Sequence, residues 1–171
     1  AILDTTTLVV VWSSSDSTSG IDHFELYVDG EPIDQDIPPD QTNYTIVLSD
    51  GTHSIEIRAV DVAGNTAVHT ISIIVDTLPP TITIEEPEDG AILDTTTLVV
   101  VWSSSDSTSG IDHFELYVDG DPVDLNISPD KTNYTITVGE GEHTVCIIAI
   151  DRAGNSASCS VSFTVRIHRF P

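Results

Sequence analysis

The sequence predicts an all-β chain: two tandem β-sandwiches of about seven strands each, the first without its opening strand. Three observations carry this. Residues 1–30 recur unchanged as residues 91–120. Apolar residues fall in short runs bounded by Gly, Pro, Asn, Asp and Ser, often alternating with polar neighbours, the period of strands. No window sustains the 3.6-residue period of an amphipathic helix. A repeat offset of 90 residues is too long for one turn of a solenoid, so each copy is expected to close its own core.

TLVVVWS (7–13 and 97–103) is a nearly continuous β-branched run and reads as a strand buried on both sides. HFELYVDG (23–30 and 113–120) alternates, with Phe24, Leu26 and Val28 on one face. Its Asp-Gly ending predicts a tight reversal into a short strand. NYTIVL (43–48) and NYTITV (133–138) follow, then HSIEIRAV (53–60) and HTVCIIAI (143–150). DVAGN or DRAGN then turns the chain into a last strand at 66–75 or 156–165.

Between the copies, DTLPP reads as a linker, because two prolines remove backbone donors and favour extended backbone. TITIE (81–85) alternates like a strand, and EPEDG (86–90) reads as a turn. The expected organisation is a first module at 1–76, a linker at 77–80 and a second module at 81–171. The second ends in a basic, non-repeating tail at 166–171. The first module has no counterpart of TITIE.

Of 171 residues, 28 are acidic and 5 basic, giving a formal charge of -23. Hydrophobic residues make up 39%, enough for packed cores, so the acidity does not signal a disordered tail. The charge opposes binding to nucleic acid or to an anionic membrane surface. No 18-residue apolar run, signal-peptide pattern or lipidation motif occurs, so no membrane insertion is expected of this segment. The basic residues are Arg58, Lys131, Arg152, Arg166 and Arg169, three of them near the end. No G-x-S-x-G, P-loop, H-E-x-x-H or dinucleotide fingerprint is present, and the histidines lie mainly in strands or at their starts. No catalysis is expected.

WSSSDSTSGIDHFELYVDG followed by DGTHSIEIRAVDVAGNT resembles the tandem immunoglobulin-like and fibronectin type III-like modules of bacterial and archaeal surface proteins. The DTLPPTITIEEPEDG junction is similar to the linkers between such modules. The resemblance implies an extracellular spacer, stalk, filament or adhesin component, usually without catalysis.

Cys146 and Cys159 are the only cysteines, and their counterparts in the first copy are Glu56 and His69. A hairpin closing around 151–154 sets positions 146 and 159 opposite one another, near enough for a cross-strand disulfide. A Glu56–His69 contact is expected in the first module; two buried free thiols are the alternative. Asn43, Asn126 and Asn133 begin N-glycosylation sequons, although an Asn at a strand entrance is also ordinary.

Asp16, Asp22, Asp61 and Asn65, repeated as Asp106, Asp112, Asp151 and Asn155, fall in two loops that share one pole of an immunoglobulin-like sandwich. Such oxygen ligands suit calcium, but no EF-hand spacing appears, and Asp and Asn also close turns onto their own backbone. No cofactor is required; calcium is an option.

The expected function is a structural module of an extracellular fibre, filament or surface stalk. It is expected to join copies of itself head-to-tail or by strand donation, with SFTVRIHRFP (162–171) as a possible donor. The alternatives are a surface adhesin, a carbohydrate-binding module or a passive spacer of a secreted enzyme. An adhesin or carbohydrate binder would need exposed aromatics on one face, and only 6% of residues are aromatic.

Overall fold

The computed structural model describes residues 1–168. Arg169 and the last two residues of the proposed donor tail lie outside the described residues. The described chain contains strands and no helix, and it divides into two compact units, the first ending at Thr77 and the second starting at Leu78.

Unit 1 comprises β1 (Ile2–Leu3), β2 (Thr7–Val11), β3 (Ile21–Val28), β4 (Glu31–Ile37), β5 (Asn43–Val47), β6 (Gly51–Asp61) and β7 (Thr66–Val75). Its larger sheet runs β1-β7-β6-β3-β4, and β2 pairs with β5 in the smaller sheet. Unit 2 comprises β8 (Thr81–Glu86), β9 (Ala91–Leu93), β10 (Thr97–Ser105), β11 (Ile111–Val118), β12 (Asp121–Ile127), β13 (Asn133–Thr137), β14 (Gly141–Asp151) and β15 (Ser156–Val165). Its sheets run β12-β11-β14-β15-β9 and β13-β10-β8. Each unit is an all-β, immunoglobulin-like sandwich, and the first lacks the counterpart of β8.

Alternation decides what each strand buries. Phe24, Leu26, Ile55, Ile73 and Val75 fill the core of unit 1; Phe114, Leu116, Val145, Phe163 and Val165 hold the same places in unit 2. Trp12 meets Phe24 edge-on at 5.4 Å between ring centres, and Trp102 meets Phe114 at 5.5 Å, a favoured aromatic geometry. The β3–β4 and β11–β12 reversals place Asp29 and Gly30, and Asp119 and Gly120, at positive φ. That is the requirement of a type I′ hairpin, met by Asp-Gly.

Two expectations are corrected here. The TLVVVWS run is not buried on both sides: Leu98, Val100 and Trp102 point inward, while Val99 is exposed, as are Val9 and Val11 in unit 1. The β-branched run reflects strand propensity, not double coverage. Nor are residues 162–165, the first part of SFTVRIHRFP, a free strand. Phe163 and Val165 are core residues of β15, which pairs with β14 on one side and β9 on the other. Ile167 continues this anchoring by donating its N–H to Glu140 Oε1 at 3.0 Å.

Candidate functional site

The duplicated loops close on their own aspartates. Asp16 accepts the N–H groups of Thr18 (2.9 Å), Ser19 (3.3 Å) and Gly20 (3.0 Å), and the Ser19 hydroxyl (2.9 Å). The Thr18 N–H, followed by the Ser19 hydroxyl, holds the Asp16 carboxyl below its ordinary range. Asp61 accepts the N–H and side-chain amide of Asn65 at 2.7 and 2.8 Å, and the Asn65 amide lowers its pKa in the same way. The Val62 N–H donates to Gly20 O at 3.1 Å, so the two loops of unit 1 are neighbours.

Unit 2 repeats this arrangement. Asp106 accepts from Thr108, Ser109 and Gly110, while Asp151 accepts from Ala153 and Asn155. The carboxylates of Asp106 and Asp151 lie within 4.8 Å of one another. Asp22 and Asp112 instead pair with the Nδ1 atoms of His23 and His113 at 2.8 and 2.7 Å. Of the eight oxygen-bearing residues, the fold thus gathers the Asp16/Asp61/Asn65 and Asp106/Asp151/Asn155 sets. Several of their lone pairs are committed to turn backbone.

The disulfide expectation is overturned. Cys146 stands opposite Ser160, and Cys159 stands opposite Ile147. The hairpin therefore closes one residue away from the register that would face the two cysteines, and a one-residue shift moves a side chain to the other face of the sheet. Cys159 packs against the core and its Sγ accepts the Ile84 N–H at 3.5 Å, whereas Cys146 shares the outer face with Tyr117. Both are free thiols. The same register removes the Glu56–His69 contact: Glu56 faces Thr70 and accepts from Arg58 Nε at 2.6 Å, and His69 is exposed.

Asn43, Asn126 and Asn133 are all exposed, at the start or near the end of short strands, where a glycan meets no steric barrier from the core.

Composition does not reveal a concavity of unit 1. A groove of about 460 Å³ runs beside β2, lined by Trp12, Ser14, Ile57, Ala59, His69 and Ile71 among others. In unit 2 the corresponding space holds β8: Trp102 pairs with Ile84, Ser103 with Thr83 and Ser104 with Ile82. The sequence signal for it was the unmatched TITIE segment.

Residues 80–147 match the family model described as Bacterial Ig domain. The chain is a tandem of immunoglobulin-like modules. A stretch of 104 residues, 58% of the chain, is 34% identical to halomucin of Haloquadratum walsbyi, and it covers about 1% of that protein's length. Among solved structures, the fibronectin(III)-like modules of Clostridium thermocellum CbhA align over 99% of this chain and 92% of theirs, with a TM-score of 0.53 and 19% identity. The immunoglobulin domains 1–5 of Sidekick-1 align over 96% of this chain and 36% of theirs, with a TM-score of 0.59 and 12% identity. These structural likenesses establish the fold of the tandem modules; at such identities they do not extend to what those proteins bind. Among the described residues, no helix is long and apolar enough to cross a membrane.

Proposed function

We propose that this tandem is a non-catalytic structural segment of an extracellular fibre, filament or surface stalk. The observation that supports it best is the repetition itself. One sandwich sequence is used twice, each copy closes its own core, and the joining segment carries Pro79 and Pro80. Repeated self-contained modules set reach and spacing, and each addition extends the array without disturbing the packing of its neighbour. The likeness to a short stretch of halomucin, a far longer protein, supports the surface location.

The charge of -23 keeps such a segment hydrated and prevents close lateral packing. Glycans on Asn43, Asn126 and Asn133 would add to that hydration. Calcium held by the Asp106 and Asp151 loops is a further element of the reading; calorimetric titration of the chelated protein with calcium chloride tests it. Copies of the chain join head-to-tail, and sedimentation analysis of the purified tandem tests this part of the reading.

Antibodies to the tandem, applied to intact cells of the source organism, are expected to label the surface, and labelling only after permeabilisation rejects the reading. Saturable binding of the monomer on a glycan array would favour the carbohydrate-binding alternative instead. Among the described residues Phe24, Phe114, Phe163 and Trp102 are buried and Trp12 faces Phe24, which leaves Tyr27, Tyr44, Tyr117 and Tyr134 as the other partly exposed aromatics.

A further inference from the structure

The three acceptor asparagines are not equivalent, because unit 2 carries two sequons where unit 1 carries one. Asn126-Ile127-Ser128 ends β12, and Asn133-Tyr134-Thr135 opens β13 after a short turn. In unit 1 the counterparts of the first sequon are Asp36, Ile37 and Pro38, which offer no acceptor, so Asn43 stands alone. The fold brings the two sequons of unit 2 to one place. β12 ends the larger sheet and β13 ends the smaller. Between them lies a concavity of about 440 Å³, lined by all six sequon residues and by Lys131.

Its lining is divided in a way that suits a sugar. Ile127 is buried and Tyr134 is half-buried against the core, so together they make an apolar floor. Asn126, Ser128, Lys131, Asn133 and Thr135 are exposed and make a polar rim. An apolar, partly aromatic floor accepts the C–H face of a sugar ring. The amides, the hydroxyls and the Lys131 ammonium, which brings three donors, meet the hydroxyl groups of the ring.

We infer that this concavity seats the first sugars of a single N-linked glycan, for which Asn126 and Asn133 are alternative anchors. Pockets of about 300–1,000 Å³ hold one ligand of drug size. At about 440 Å³ there is room for the start of one sugar chain and not of two. A glycan on either asparagine therefore lies over the other acceptor and covers it. The inference rests on the extracellular reading, which supplies the glycosylating compartment, and narrows its three glycans to two per chain. On unit 2 the glycan packs against the protein, in place of standing free in solvent.

The test uses the tandem produced in cells of its source organism, with Asn43→Gln so that only unit 2 is counted. Intact-mass spectrometry should find one N-glycan per modified chain, and glycopeptide sequencing should place it on Asn126 in some chains and on Asn133 in others. Adding Asn126→Gln should move the modification wholly to Asn133, and adding Asn133→Gln wholly to Asn126, with the count per chain unchanged. All three asparagines are exposed, so glutamine leaves the fold intact. Compared with the variant lacking all three acceptors, the glycosylated chain should exchange its amide hydrogens at residues 126–135 about tenfold more slowly, equivalent to about 1.4 kcal/mol of local stability. Three results would overturn the inference: glycans on Asn126 and Asn133 of the same chain, glycans on neither, or equal exchange rates at 126–135. Surface labelling of cells is independent of all three, so loss of this inference and loss of the structural-module reading are separately visible.

Discussion

Cys146 and Cys159 occupy adjacent strands of one hairpin with their side chains on opposite faces of the sheet. Cys146 is opposite Ser160, and Cys159 is opposite Ile147. A disulfide between them would require β14 and β15 to slip by one residue, turning Val145 and Ile147 out of the core. We therefore expect both thiols to react with a maleimide in the unfolded, unreduced protein, with no change in melting temperature on adding reductant. A protein resistant to labelling until reduced would contradict the register.

The paired histidines make stability pH-dependent. His53 contacts Asp29 Oδ2 through Nδ1 at 2.7 Å and Ser49 O through Nε2 at 2.9 Å; His143 does the same with Asp119 (2.7 Å) and Gly139 O (3.0 Å). A carbonyl only accepts, so Nε2 carries a proton, and facing a carboxylate favours a second proton on Nδ1. Asp29 and Asp119 accordingly raise the histidine pKa values above their ordinary 6.5, and the histidines lower those of the aspartates. The histidine contribution is therefore complete below about pH 6.5 and lost as pH rises through the raised folded value. The aspartate contribution is present above about pH 3.9 and lost as pH falls through the lowered value. The melting temperature of His53→Gln/His143→Gln should fall furthest below that of the parent at pH 5–6, with the gap closing at alkaline pH. A gap that widens with rising pH would refute the assignment.

The loop aspartates act as turn anchors. Asp106→Ala and Asp151→Ala should each destabilise unit 2 by about 1–2 kcal/mol, since part-buried backbone N–H groups lose their acceptor. Asp16→Ala should lower the stability of unit 1. Chemical denaturation of each variant provides the measurement, and wild-type stability in all three would show the carboxylates to be dispensable to the turns.

Trp12 and Trp102 should report on the open and the covered edge. Trp102→Ala should cost about 3–5 kcal/mol, as expected for removing a fully buried aromatic ring, and Trp12→Ala clearly less. Acrylamide quenching of the single-tryptophan variants should be stronger for Trp12. Equal quenching would place the two rings in equal surroundings.

Salt should stabilise the chain. With a charge of -23, self-repulsion opposes the compact state, and raising ionic strength from roughly 0.01 to 1 M shortens the Debye length from about 30 to about 3 Å. The melting temperature should rise by several degrees, and a fall would show that the paired charges outweigh the repulsion.

Much of this protein is determined by its sequence alone. The perfect recurrence of residues 1–30, the period-2 alternation of strands such as β3, and the Asp-Gly turns at 29–30 and 119–120 are local signals. Each is set by steric preference or by the need to bury one face, and together they specify two sandwiches. The unmatched TITIE segment even showed which strand unit 1 lacks. Register and coverage are different in kind. Whether 146 faces 159 or 160 depends on how the DRAGN turn closes, because a change of one residue reverses every face beyond it. Whether the identical TLVVVWS runs are covered depends on a neighbour distant in sequence. Tertiary structure alone decided that Trp102 lies under Ile84 while Trp12 lines a groove, because burial is a property of what packs against a residue and not of the residue itself.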